Sequence, residues 1–393
     1  MSTPDPLRIH GTLEPVGSLK GHGLMNPCRS PDGRYVGLRR GLSVVVVDTL
    51  PDTPTLGVVH KSVVSQETSE VLHPDGQRLV VRERRRHLLR VYGPEGLRAE
   101  VHTDTVRLSW DGQRLPPDAP RPTWGWADEH LMVSADGRHV VLATHDADGQ
   151  ACVLLFEIEG LALVDTLTDL RLYSFYAVYD APGKPDFVPM HTWSESWLEP
   201  DLLDPAVMLG VRNAGDCCLG VFRLEVRDGR LVNVDPEAFS QAVLSVDNYF
   251  LRGLRRLPGD GLLVLDRDHG LTRLSWPPTR EKVASVWSTR HLRQDGYDLK
   301  LPFPTPGPDD LWEADDLTIT DRHVLLNLQT GGGLTVAMVA FDLLTLQPIG
   351  LVKRPASRTR FGELEHLGRD LFAGVGRTST KLWRLRVSPS DGG

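Results

Sequence analysis

Long apolar runs are missing from this 393-residue sequence. The longest, such as Val44 to Val47 and Val336 to Phe341, fall far short of the roughly 20 residues that a membrane-spanning helix needs. Cysteine is scarce: Cys28, Cys152, Cys217 and Cys218 are the full set. With no C-x-x-C spacing, they argue against both a disulfide framework and a zinc ribbon, and reduced thiols are expected. Adjacent Cys217 and Cys218 would point to opposite faces of a strand, which suits packing better than a shared metal. The N-terminus, Met1-Ser2-Thr3-Pro4-Asp5-Pro6, has neither a basic n-region nor an apolar h-region, so residence in the cytoplasm is expected. A net charge of -8 means the surface as a whole repels phosphate backbones, which disfavours a nucleic-acid partner. Arg supplies most of the positive charge, a bias that fits a GC-rich genome and assigns no function.

Catalytic signatures are absent too. There is no Gly-x-Ser-x-Gly elbow, phosphate-binding Gly loop, His-Glu-x-x-His helix or Rossmann fingerprint in a plausible place. The histidines are dispersed without metal-ligand spacing, and no cofactor is expected. Sustained 3.6-residue periodicity is also nearly missing, whereas short Val- and Leu-rich runs recur between Gly, Pro, Asp and Asn clusters. Hydrophobic residues at 40% and charged residues at 24% match ordinary folded proteins, so this pattern reads as a folded all-β chain.

The runs repeat. Each unit holds an alternating strand, a polar hairpin, a more apolar strand, a turn and a shorter strand, with one more candidate strand before the triplet. The first triplet spans Arg34 to Arg40, Ser43 to Asp48 and Leu56 to His60. Comparable triplets begin near Gln77, Arg138, Ala206, Gly261 and Arg322. A last unit, Asp370 to Val375 and Lys381 to Val387, ends before its third strand. The isolated segment Leu7 to Leu13 is placed to supply it, joining the two ends of the chain and removing an exposed edge. Four strands per unit and about seven units describe one β-propeller spanning the whole chain, with the N-terminal strand completing its last blade.

Leu19-Lys20-Gly21-His22 followed by Ser30-Pro31-Asp32-Gly33-Arg34-Tyr35-Val36 resembles the opening of a WD40-type repeat. His73-Pro74-Asp75-Gly76-Gln77-Arg78-Leu79 and Ser134-Ala135-Asp136-Gly137-Arg138-His139-Val140 echo it, and Trp110-Asp111-Gly112 does so more weakly. The resemblance covers roughly the first 170 residues, and it implies a divergent WD40-like propeller. Only the first repeat carries Gly-His, and the Trp-Asp dipeptide is reduced to Val47-Asp48. Most blades therefore lack the buried His and Trp network that the resemblance would imply. The recurring Asp-Gly suits the turn between a blade's first and second strands.

Extra length falls between blades, at Thr103 to Asp128, Thr168 to His191 and Ser288 to Asp310. In a propeller these linkers share a face with the hairpins joining second and third strands, and long loops on a rigid body are the usual carriers of binding. The linker at 168–191 is aromatic-rich. Tyr173, Phe175, Tyr176, Tyr179 and Phe187 are candidate partner-binding residues, because aromatics are enriched in interface cores. Arg84, Arg85 and Arg86, within the basic run Arg82 to Arg90, are candidates for an acidic partner, since guanidinium pairs bidentately with carboxylates. Asp146-Ala147-Asp148-Gly149 and Asp266-Arg267-Asp268-His269-Gly270 lack the full oxygen set of a Ca²⁺ loop and read as hairpin tips. Asp309, Asp310, Glu313, Asp315 and Asp316 read as a solvated acidic stretch. The favoured expectation is a non-catalytic scaffold recruiting other proteins through the loop-rich face. The alternative is a propeller hydrolase or lactonase with a carboxylate-bound divalent cation.

Overall fold

The computed structural model describes residues 9–20, 27–65, 68–103, 116, 129–168, 170–173, 187–189, 196–200, 207–213, 218–234, 244–245, 251–257, 261–266, 270–275, 282–287, 313–320, 323–329, 335–346, 348–353, 364–375 and 379–387. Their regular structure is β throughout, apart from one 3-10 turn at Arg84–Arg86. Consecutive strands pair antiparallel into compact sheets. The first holds Cys28–Arg29, Tyr35–Arg40, Ser43–Asp48 and Thr55–His60; the second holds Thr68–Leu72, Leu79–Glu83, Leu88–Gly93 and Gly96–His102. The third runs from His130–Val133 through His139–His145 and Ala151–Glu157 to Leu163–Leu167, and another from Leu251–Leu257 to Lys282–Trp287. The sheet from Ser196–Pro200 to Arg230–Asn233 gains a fifth strand, Leu244–Ser245, on Cys218–Arg227.

Burial along each sheet explains its sequence. In Ser43–Asp48 the four valines are all buried, because a middle strand is covered on both faces by neighbouring sheets and so reads as a continuous apolar run. The outer strand Gly96–His102 has no buried residue, in keeping with one face in solvent. One apolar cluster joins the first and second sheets through Val44, Val46, Leu72 and Leu79. Others join the second to the third through Val80, Leu89, Val140 and Phe156, and the third to the next through Val153, Leu155, Leu198 and Leu224.

The Asp-Gly repeats form one turn built three times. Ser30 Oγ donates to Asp32 Oδ1 at 2.6 Å, and the same carboxylate accepts from the Arg34 amide at 3.1 Å. Ser134 and Asp136 reproduce this at 2.6 and 3.0 Å, and Asp75 accepts from the Gln77 and Arg78 amides at 2.7 and 3.1 Å. The turn requires positive φ, +67° at both Gly33 and Gly76, which glycine adopts without steric cost. At Gly76 a side chain would also strike the Tyr35 ring, whose nearest carbon is 2.5 Å from where Cβ would lie. The glycine thus both turns its own strand and admits the preceding sheet.

The N-terminal strand is longer than the Leu7 to Leu13 segment, running Ile9–Lys20. It pairs antiparallel with Ser379–Val387, from Gly11 opposite Val387 to Lys20 opposite Ser379, as the missing outer strand should. It also pairs in parallel with Pro348–Lys353, Ile9 opposite Leu351 and Thr12 opposite Lys353. The separate sixth and seventh sheets of the sequence reading are consequently one eight-stranded sheet. Leu13 anchors it in a cluster with Leu325, Met338, Val352, Phe372, Trp383 and Leu385.

Both chain ends meet the first sheet. Val36, Leu38 and Val47 pack with Leu367, Leu371 and Leu382. Arg384 donates to the carbonyls of Thr49, Pro51 and Asp52 at 3.0, 2.7 and 3.2 Å. No helix among the described residues is long and apolar enough to cross a membrane.

Candidate functional site

Two features stand where strands meet the interblade linkers. The first is a charge network between successive sheets. Arg39, near the end of Tyr35–Arg40, reaches into the second sheet and donates from Nε and Nη2 to the two oxygens of Glu70, at 2.8 and 2.6 Å. It also donates to the carbonyls of Thr68 and Ser65, at 2.6 and 3.0 Å. Arg82 repeats the arrangement one sheet on. Its Nε and Nη2 each lie 3.0 Å from an oxygen of Glu129 at the start of the third sheet, and Thr144 Oγ1 donates to that carboxylate at 3.0 Å. The Arg82 side chain is 0% exposed and that of Glu129 10%.

Burial works to raise the Glu129 carboxyl, but the Arg82 charge and hydrogen bonds outweigh it and hold the group below its ordinary range. At Glu70 burial wins, and the shift is upward despite Arg39 and Thr68. Beside the network, burial pushes the His145 imidazole down to about 4, against the upward pull of Glu129 and Asp146. His145 is therefore neutral in the folded protein at neutral pH. Since folding holds the neutral form, stability is full above the unfolded pKa near 6.5 and falls as pH drops toward about 4. The loss across that window should reach about 3 kcal/mol. Urea midpoints measured at intervals from neutral pH down to pH ~4 should show this fall, and His145→Asn should flatten it. A wild-type slope that survives the substitution would place the titration elsewhere.

The second feature is the aromatic insertion. Leu170, buried in the cluster between the third sheet and its neighbour, roots it. Arg171–Tyr173 then pairs antiparallel with Phe187–Pro189, Tyr173 opposite Phe187 and Arg171 opposite Pro189. Tyr173 and Phe187 thus occupy paired backbone positions of a two-stranded stem. Phe175, Tyr176 and Tyr179 lie outside the described residues, as do the side chains of Tyr173 and Phe187.

The basic run is divided by the fold. Arg82 is consumed by Glu129. Arg84 and Arg86 lie on the 3-10 turn with Arg85, whose side chain is outside the described set. Arg86 is exposed and 3.4 Å from Glu83. Arg90 pairs with Glu83 at 2.6 Å and with Glu100 at 2.5 Å. Arg84 donates from Nη2 to Ser69 Oγ at 3.0 Å. Its Nε is buried and meets no acceptor among the described residues.

Little of this supports nucleophilic or metal chemistry. Burial raises the Cys28 and Cys152 thiols to about 12, so both are protonated and inert at neutral pH. No group of three or more His, Cys, Asp or Glu side chains that could hold a metal occurs among the described residues. Asp146 is occupied by its own turn, accepting from the Asp148 and Gln150 amides at 2.9 Å each. Asp309, Asp310 and residues 267–269 lie outside the described residues.

Sequence reasoning missed the Arg39–Glu70 and Arg82–Glu129 pairing. Half of its signal was present: Arg39 and Arg82 each stand seven residues after their turn aspartate, Asp32 and Asp75, and the equivalent place after Asp136 is Ala143. The carboxylates give no such alignment. Glu70 lies opposite Val81, whereas Glu129 precedes His130, which lies opposite Ala143.

No family model matches this chain, and no curated protein matches it. Among solved structures it is similar to the β-propeller domain of Cps50 (Swd1) from Myceliophteria thermophila, at a TM-score of 0.54 and 11% identity over 96% of this chain and 100% of that one. At that identity the likeness establishes the fold alone: a β-propeller.

Proposed function

We propose that this protein is a non-catalytic scaffold of a multiprotein assembly. In this reading one propeller of seven four-stranded blades spans the chain, and Ile9–Lys20 closes the ring by completing the last blade. The pairing of that strand with Ser379–Val387 and the packing of Leu367 and Leu371 on Val36 and Leu38 support closure. Partners dock on the face that carries the interblade linkers, against Tyr173, Phe175, Tyr176, Tyr179 and Phe187, with Arg84, Arg85 and Arg86 at one side. We place this scaffold in the cytoplasm.

The observation that carries the reading is the stem formed by Arg171–Tyr173 and Phe187–Pro189. Pairing fixes the two strands of the stem to one another and lowers the ordering cost of binding there. Aromatic side chains at such a place supply large contact area at low conformational cost. Recovery of native partners on immobilised wild-type protein should fall about tenfold or more for the Tyr173→Ala/Phe187→Ala double variant, with the melting temperature nearly unchanged. Undiminished recovery would remove this surface from the reading.

A further inference from the structure

Five Asp-Gly pairs fall among the described residues, and the fold treats them differently. At Asp32, Asp75 and Asp136 the carboxylate accepts from the amide two residues ahead, at 3.1, 2.7 and 3.0 Å. The amide of the following glycine is also engaged there, donating to the carbonyl of Ser30, His73 or Ser134 at 2.9, 3.0 and 2.9 Å. At Asp148 the carboxylate accepts no hydrogen bond among the described residues, but the Gly149 amide donates to the Asp146 carbonyl at 3.1 Å. Asp228 and Gly229 stand apart. They are the whole turn between Cys218–Arg227 and Arg230–Asn233, with Arg227 opposite Arg230. Both have positive φ, +50° and +72°, as a two-residue hairpin turn requires. Asp228 is exposed. Among the described residues neither its carboxylate nor the Gly229 amide makes a hydrogen bond, and the adjacent Arg227 is drawn back to Glu225 at 2.5 Å.

We propose that Asp228 is a modification site: it is the described Asp-Gly pair that converts to isoaspartate in the folded protein, and the conversion releases the outer strand Arg230–Asn233. The Asp228 carboxyl takes up a proton from solvent, the Gly229 nitrogen forms a bond to its γ-carbon, and the hydroxyl leaves with the amide proton as water. Water then opens the resulting succinimide. Attack at the α-carbonyl leaves the chain running through Cβ and the γ-carbonyl, with the former α-carboxyl as the side group, whose ionisation returns the proton. The water lost in the first step is regained in the second, so no further reagent is needed and the mass is unchanged. Glycine favours the closure because no side chain shields its nitrogen. In the other turns the reacting groups are held. Burial works to raise the Asp75 and Asp136 carboxyls, but their hydrogen bonds outweigh it and hold both below the ordinary range, which keeps the reactive protonated form scarce.

A two-residue turn has no slack for the longer product. Once Cβ enters the main chain, Arg230 no longer lies opposite Arg227. The strand that follows carries Leu231, which is buried with Leu155, Leu198 and Leu224, and the Leu231 amide donates to Asp165 of the third sheet at 2.8 Å. Displacing it loosens both the outer strand of its own sheet and a tie to the sheet before.

The test incubates full-length protein at physiological pH and temperature, either native or unfolded in urea, and digests samples at intervals. Peptides are mapped by fragmentation that separates isoaspartate from aspartate. In urea the five sites should convert at similar rates, since each is followed by glycine. In the native protein Asp228 should convert about fivefold or more faster than Asp148, and lead Asp32, Asp75 and Asp136 by more, because each hydrogen bond that must open first slows closure by about that factor. A native rate at Asp228 no higher than at Asp32, Asp75 and Asp136 overturns the assignment. Aged wild type should also melt below fresh wild type, in proportion to its isoaspartate content at position 228. Asp228→Glu would have to close a larger, slower-forming ring, and it should keep its fresh melting temperature over the same period. Each aged sample is compared with its own fresh one, so any cost of the substitution itself drops out. Aged wild type that is rich in isoaspartate at this position yet melts like fresh protein overturns the release of the strand, and so do equal losses in wild type and Asp228→Glu.

Discussion

A chain lacking residues 1–20 should lose its single cooperative melting transition or melt at least ~10 °C below the full-length protein. The strand Ile9–Lys20 lies between Pro348–Lys353 and Ser379–Val387 and is hydrogen-bonded to both. Its removal strips the backbone partners from two strands at once, and unpaired sheet edges are both unstable and sticky. It also removes Leu13 from the cluster containing Phe372, Trp383 and Leu385, opening a void where packing is otherwise tight. Far-UV circular dichroism and size-exclusion chromatography, run together, should show lower cooperativity and a shift toward aggregates. Leu13→Asp keeps the backbone pairing yet places a charge in the same cluster. It should reproduce a large part of the loss, because a buried unpaired carboxylate is strongly disfavoured. Truncated protein that melts like the full chain would show that the strand is an ornament of the last sheet.

The position of this strand also marks how far the sequence could be read. Its role as partner of the last strand was legible, because the final unit is one strand short and one early segment stands alone. Its parallel pairing with Pro348–Lys353 was not, since a parallel contact between segments more than 300 residues apart leaves no turn signal between them. Strands with strong local cues were placed well. Ser43–Asp48 has the bounds that its valine run suggested, and the Asp-Gly pairs at 32–33, 75–76 and 136–137 each lie between a first and second strand. The three-residue strands of the aromatic stem are too short to show any period. The charge network was half visible, through the arginines that follow the turns at a fixed spacing. Glu70 lies within its strand whereas Glu129 precedes the strand His130–Val133, so alignment of the repeats cannot bring them together.

Arg82→Met should be among the most destabilising single substitutions in the described part of the chain, at about 3–5 kcal/mol, while Arg82→Met/Glu129→Met should recover most of that loss. The reason lies in what each change leaves behind. Removing the guanidinium strands the Glu129 carboxylate between two sheets, where Thr144 alone still donates to it among the hydrogen bonds described above. The carboxyl then has to take up a proton or drag in water. Removing both groups leaves no buried charge behind, and a buried ion pair replaced by apolar side chains is often close to neutral. Urea denaturation of wild type, both single variants and the double variant closes the cycle and gives the coupling directly. The single variant should also gain a pH dependence that wild type lacks, because the stranded carboxyl titrates upward once Arg82 no longer holds it down. Stability of Arg82→Met should therefore improve as pH is lowered toward about 5, opposite in sign to the His145 contribution in the same window. A coupling near zero would mean that the pair is an incidental contact and that apolar packing alone joins the second and third sheets. A large coupling would make the repeated Arg–Glu pair the polar connection between these sheets.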